Sequence, residues 1–189
     1  MILGYRKYAK DYEIEYVDRI GKKRPDAVRI YVGPYFKFAS SAEKIAKLRW
    51  QYLAFAVIAA IALFVPLCIN CGATRTWYVQ VPAVMAWIPL ILAGCAVSRI
   101  WTAKEKVERE HYDMMYQRMN GSSLFMVILG GISFIASVIY VTRDGAFIDF
   151  LISDCYLIFT VCGILMFAKR KSLEMTEVQN PEKPKAKNK

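Results

Sequence analysis

Cys68-Ile69-Asn70-Cys71 sets two nucleophilic side chains at a spacing that does chemistry. Thiols three residues apart at a helix end can close into a disulfide, or cycle between dithiol and disulfide where one ionises in an oxidising compartment. Two readings stay open for the pair: a structural disulfide or inert thiols, and redox catalysis. Asp154 is the second candidate, an acid inside an apolar stretch, where a charge left in lipid is expensive. It reads as a proton or cation site, as a counter-ion to Arg75 or Arg143, or as an interfacial acid hydrated or hydrogen-bonded to Ser or Thr. Cys155 and Cys162 share a helical face about 10 Å apart, too far for a mutual disulfide, and read as packing residues. His111, the sole histidine, has no His or Cys neighbours in sequence, so no metal site is expected. The sequence carries no P-loop, dinucleotide glycine motif or Ser-His-Asp set able to converge outside lipid.

Arg75 follows Cys71 by four residues. The spacing Cys68-x-x-Cys71-x-x-x-Arg75, in the first external loop of a four-span chain, resembles the quinone-linked disulfide oxidoreductases of the DsbB type. That resemblance covers eight residues and implies electron exchange between the cysteine pair and quinone, with Arg75 near the quinone. Quinone is the only cofactor any reading introduces. The family's second cysteine pair, in its second external loop, has no counterpart between Arg143 and Asp149, which leaves the relay incomplete.

Positioning these residues falls to apolar stretches. No charged residue stands between Arg49 and Arg75, between Arg75 and Arg99, or between Arg118 and Arg143, and each gap exceeds the roughly 20 residues that cross a bilayer. A fourth stretch, Ala146 to Ala168, is broken only by Asp149 and Asp154. A soluble globule is excluded. The expected fold class is an all-α integral membrane protein, a four-helix bundle with spans near 50–69, 79–99, 123–142 and 147–168. The first apolar run begins about fifty residues in, so it is expected to stay as an anchor rather than act as a signal peptide. Ile2 stands where myristoylation needs glycine, and Asn188-Lys189 offers no prenylation cysteine, so anchoring is expected to rest on the spans.

The net charge of +10 reports topology rather than nucleic-acid binding. Of the Lys and Arg residues, 24 fall in the segment to Arg49, the loop from Arg99 to Ser123 and the tail from Lys169, against 2 in the other loops. The positive-inside rule then predicts both termini in the cytoplasm of a plasma-membrane protein, facing anionic headgroups. Lys44, Lys47, Arg49, Lys169, Arg170 and Lys171 are the residues expected to reach those headgroups.

Around the spans, residues 1–39 read as a small cytoplasmic β element. Tyr12, Ile14 and Tyr16 alternate with acids, and Val28, Ile30 and Val32 alternate with Arg29 and Tyr31. Gly21 to Asp26 would close the hairpin and Gly33-Pro34 would turn into a third strand, Tyr35 to Phe38. Ile14, Val28, Ile30 and Val32 are expected to form its buried face, with Tyr35, Phe36 and Phe38 docking toward Met114, Met115 and Tyr116. So small a sheet cannot fold alone. Ser40 and Glu43 have capping-box spacing, predicting a juxtamembrane helix over 40–49 that runs into the first span. Pro89 should kink the second span near Ala86. The loop 100–122 is expected to be helical, either lying on the membrane or folded into a short hairpin, because a straight continuation could not return to the third span. Gly130, Ser133 and Ser137, with Ala56 and Ala60, offer small-residue notches for internal packing or a dimer face. The Lys-rich tail 171–189, with Pro181 and Pro184, is expected to be disordered.

Functionally, the leading expectation is an accessory, regulatory or scaffold subunit that binds a protein partner, or a second copy, on its cytoplasmic side without catalysis of its own. The alternatives are a membrane thiol-disulfide oxidoreductase using Cys68 and Cys71, and a small transporter or channel component using Asp154.

Overall fold

The computed structural model describes residues 7–17, 26–103 and 106–178. The hairpin connection at 21–25, Lys104, Glu105 and the tail from 179 lie outside the described residues, as does the side chain of Val28. Strands β1 (Tyr12–Val17) and β2 (Asp26–Tyr31) lead through β3 (Tyr35–Phe38) into the first long helix, α1 (Ala42–Cys68). A short helix, α2 (Gly72–Arg75), turns the chain into α3 (Trp77–Met85) and α4 (Trp87–Thr102). After β4 (Lys106–Glu108) come α5 (Arg109–Asp144), α6 (Phe147–Ala168) and β5 (Met175–Val178).

Four helices are long and apolar enough to cross a membrane: Ala42–Cys68, Trp77–Thr102, Arg109–Arg143 and Phe147–Leu173. This is the make-up of a multi-pass membrane protein. They pack as a ring in which α1 touches α4 and α6, and α5 touches α3, α4 and α6. The interior carries Tyr52, Ala59, Ala93, Ala96, Met126, Ile152, Phe159 and Met166, while Val57, Ile61, Ile91, Ile135 and Val161 face outward. In lipid no hydrophobic drive holds helices together, so close contact through small side chains does. A Cβ placed on Gly130 would lie 2.6 Å from Thr160 Oγ1 and 2.7 Å from Phe159 Cδ1, so the notch of α5 is filled by α6. Ser133 and Ser137 are buried beside it, their hydroxyls donated to the carbonyls of Leu129 and Phe134 in their own helix. Ala56 and Ala60 are half-buried against the core, with Ala59 and Ala62 at the tighter contact.

The second span breaks at Ala86, three residues ahead of Pro89, whose missing N–H leaves the preceding turn without a donor. Two expectations for the neighbouring segments are corrected. Helix α1 starts after Ser41, and its N-cap has no side-chain hydrogen bond, so the Ser40–Glu43 capping box does not form. The loop 100–122 is neither a flat membrane helix nor a hairpin. The chain leaves the second span through β4 and returns in one unbroken helix that passes straight through Asn120-Gly121. At 36 residues α5 is about 54 Å long, well beyond a hydrocarbon core of about 30 Å, and its polar beginning forms a stalk. Met115 and Met119 on this stalk are accordingly buried in protein.

The sheet expected from residues 12–38 is instead two sheets. β1 and β2 pair antiparallel, Tyr12 opposite Tyr31 and Val17 opposite Asp26. β3 leaves them and becomes the centre of a second sheet, with Phe36 opposite Val107 of β4 and Glu177 of β5. The tail is therefore ordered as far as Val178, through a 3-10 turn at Lys169–Leu173 and then a strand. The physical reason is edge pairing: β3 has unpaired N–H and C=O groups on both sides, and these two short segments satisfy them.

Candidate functional site

The bundle has two differently built ends, and the residues singled out from sequence divide between them. At the sheet end, the stalk of α5 carries everything else. Phe36 stacks on Tyr112 at 4.6 Å, and Tyr112 on Tyr116 at 5.6 Å. Tyr31, only 7% exposed, donates its hydroxyl to the Pro34 carbonyl and accepts the Arg109 N–H at 2.9 Å, so it caps the helix start. Tyr12 donates to Glu108 at 2.8 Å, and Tyr8 and Lys7 both donate to Asp113 at 2.7 Å. Burial raises the Tyr12 phenol well above its ordinary value, and the Glu108 carboxylate raises it further. Burial and then Asp113 act the same way on Tyr8.

The predicted buried face of the hairpin is corrected here. The register pairs Ile14 with Arg29 and Ile30 with Glu13, so Ile14 and Ile30 do not share a face. Ile14 is 57% exposed and Ile30 and Val32 are half-exposed, while Tyr31, on the face of Tyr12 and Ile14, is buried against the stalk. A cleft of about 610 Å³ opens beside it, lined by Tyr8, Tyr12, Ile14, Arg99, Glu108 and His111 among others. The six expected headgroup residues also divide. Lys44, Lys47 and Lys171 are exposed. Arg49 turns inward and donates Nη2 to the Ala103 carbonyl at 2.6 Å, at the end of α4, and Lys169 donates to Gln51. Arg170 lies 3.7 Å from the centre of the Phe167 ring. Trp50 and Trp101 meet edge to face at 5.0 Å just beyond Arg49, a pair of exposed indoles of the kind that sits at a membrane interface.

At the opposite end the organising residue is one the sequence reading passed over. Asp149, 3% exposed, accepts the Ala73 N–H on one oxygen and the Ala146 N–H on the other, both at 2.9 Å. The Cys71 thiol lies close by in the same turn and meets the Thr74 hydroxyl at 3.6 Å. One carboxylate thus ties the short helix α2 to the start of α6. The available signal was its place as the third residue of a helix that begins after Ala146, where an acid bonds back to the N-cap N–H. Thr74 Oγ1 receives the Cys71 N–H, and a Cβ on Gly72 would run into Tyr140, so the turn is closed on a third side by α5.

Cys68 and Cys71 are free thiols in different settings, Cys68 exposed and Cys71 buried. Arg75 donates Nε to Asn70 at 2.7 Å. Cys68, Asn70, Arg75, Gln80, Trp87 and Tyr156 meet with apolar neighbours around a cleft of about 380 Å³. Asp154 is not in that cleft. It sits on the outward face of α6 and is no counter-ion to Arg75, which is engaged by Asn70. Cys162 is buried and Cys155 half-buried in the same helix. Among the described residues no group of three His, Cys, Asp or Glu side chains converges on a metal position.

Set against known proteins, the chain matches no family model, no curated protein and no solved structure. The eight-residue likeness to the quinone-linked oxidoreductases therefore gains nothing from comparison, and function has to be argued from geometry.

Proposed function

We propose that this chain is an accessory, regulatory or scaffold subunit of the plasma membrane, with both termini in the cytoplasm and a protein partner bound at its sheet end. The reading rests above all on one observation: segments 35–38, 106–108 and 175–178, far apart in sequence, join in one sheet beside the stalk of α5. That platform extends beyond the length a span needs and leaves the apolar Ile14 exposed beside a cleft. The bias of basic residues supports a cytoplasmic orientation for it, and exposed Lys44, Lys47 and Lys171 suit anionic headgroups. Reporter fusions at Lys189 and within the Asn70 to Gln80 loop test the orientation, and an external C-terminus would overturn the reading. Purification in mild detergent tests the partner. A stoichiometric protein should be retained by the wild type and lost with Ile14→Glu or Lys106→Glu, which alter exposed side chains. Equal retention by the variants would remove the sheet end as the binding face.

The redox reading keeps one favourable observation, the exposed Cys68 beside Arg75 at an open cleft able to admit a flat apolar ring such as a quinone. Against it stands Cys71, which is buried with its thiol against the Thr74 hydroxyl, whereas exchange requires both sulfurs to be within reach of a partner. Thiol trapping in cells decides: a Cys68–Cys71 disulfide whose formation depends on quinone supports the reading, and two reduced thiols end it. The transporter reading ranks last, since its one candidate residue, Asp154, is exposed on α6 rather than among the buried residues of the bundle.

A further inference from the structure

Helix α6 presents an outward face of Phe150, Leu151, Leu157, Ile158 and Val161, all exposed, and Asp154 lies in the middle of it, exposed as well. It is seven residues past Phe147, the first residue of the helix, and so about 10 Å along the axis. Among the described residues it has no hydrogen-bond or ion-pair partner. Acids within spans ordinarily face the bundle interior or a wet cavity, or pair with a cation, because a lone carboxylate in hydrocarbon costs several kcal/mol. Here the interior is closed to it. Asp149, the other acid of the helix, shows what this chain does with a carboxylate it uses for its own fold: buried, with both oxygens taken.

From this contrast we infer that the Asp154 face of α6 is a docking surface inside the membrane for a partner span that carries a Lys or Arg at matching depth. Charge complementarity selects that occupant over a second copy of the chain. The apolar stretches 50–74, 76–98, 119–142 and 155–168 contain no Lys or Arg, so a symmetric dimer through this face would bring carboxylate to carboxylate. A cationic partner span instead neutralises Asp154 where water is scarce, and the flanking Leu, Ile and Val side chains supply the packing. The inference deepens the accessory-subunit reading by adding an intramembrane contact, and it rests on that reading only in requiring a membrane partner.

The test uses the purified full-length chain in phosphatidylcholine vesicles with a labelled synthetic span of Leu and Ala. The span carries a single Lys eight residues from one end, or Leu at the same place, and association is read by energy transfer. The Lys span should associate about tenfold more tightly than the Leu span. Asp154→Asn should abolish that preference, and Asp154→Glu should keep it. Asp154 is exposed, so neither variant should disturb folding, and unchanged thermal unfolding of both checks this. Equal association of the two spans, or a preference that survives Asp154→Asn, overturns the inference. Self-association that Asp154→Asn changes, without a Lys preference, would assign the face to a second copy and also overturn it. Either failure leaves the sheet-end reading standing, since that is judged separately by Ile14→Glu and Lys106→Glu.

Discussion

The two ends of the bundle solve the same problem, holding loops against helix ends, by opposite means. Opposite the sheet, a single carboxylate takes two backbone N–H groups, and the turn from Cys71 to Arg75 hangs on it. At the sheet end the work is shared among three strands, a file of stacked rings and hydroxyl contacts from Tyr8, Tyr12 and Tyr31. A buried charge with all its partners in place is an all-or-nothing device, whereas many weak contacts fail by degrees. Mutational sensitivity should therefore be concentrated at one end and graded at the other.

The largest effect is expected from Asp149→Leu, which leaves the Ala73 and Ala146 N–H groups without their acceptors. Each buried unsatisfied donor costs about 1–3 kcal/mol, so the loss should reach about 3 kcal/mol. Unfolding in detergent measures it, and alkylation of the buried Cys71 should accelerate in the same variant as the turn that covers it loosens. A cost below about 1 kcal/mol would erase the contrast between the ends, because removal of one polar group from an exposed site does no more.

Between the ends, Gly130→Leu should cost about 2 kcal/mol by overpacking against Thr160 and Phe159. Gly131→Leu, where a Cβ meets nothing within 4 Å, should be close to neutral. Comparable losses in the two variants would mean that the α5–α6 contact is not what the glycine serves.

The four spans were legible in the sequence because an uncharged run of more than 20 residues has few alternatives, and the break at Ala86 followed from Pro89. The second sheet was not legible. Lys106–Glu108 and Met175–Val178 are too short to show a period, and their partner lies far off in sequence. The ranking of the two acids was misled for a related reason. Distance along a helix can be counted from sequence, but the direction a side chain faces depends on what packs against it, so Asp154 was placed by depth while Asp149 was passed over. The buried side of the hairpin was missed because it depends on register: the pairing puts Ile14 with Arg29 and Ile30 with Glu13, on opposite faces, and a shift of one residue, which the sequence does not specify, exchanges the faces.

At the sheet end, Tyr31→Phe keeps the ring and removes one hydroxyl, which leaves the Arg109 N–H and the Pro34 carbonyl without it. The expected loss is about 1 kcal/mol, seen as faster tryptic cleavage after Arg29 with no change after Arg75. A loss as large as that of Asp149→Leu would show that the sheet end also depends on one residue, and would break the comparison.

The smallest effect is a matter of pH, and its sign follows from the phenols. Tyr8, Tyr12 and Tyr31 are all raised above the ordinary value of 10.0, in each case first by burial. A group whose folded pKa lies above its unfolded one contributes stability that is complete below the unfolded value and is lost as pH rises through the folded value. Unfolded tyrosines ionise near pH 10 while the folded ones stay neutral, so alkali favours release of the segment. Raising the pH from about 9 to about 11 should therefore increase tryptic cleavage after Arg29 relative to cleavage after Arg75, measured as a ratio in one sample so that the change in protease activity cancels. Tyr12→Phe should flatten that rise, because it removes the phenol with the strongest upward shift of the three and with it the contact to Glu108. A ratio that stays constant across this range would mean that the tyrosine hydroxyls carry little of the load, leaving the strand pairing of β3 and the ring stacking on Tyr112 to hold the platform by themselves.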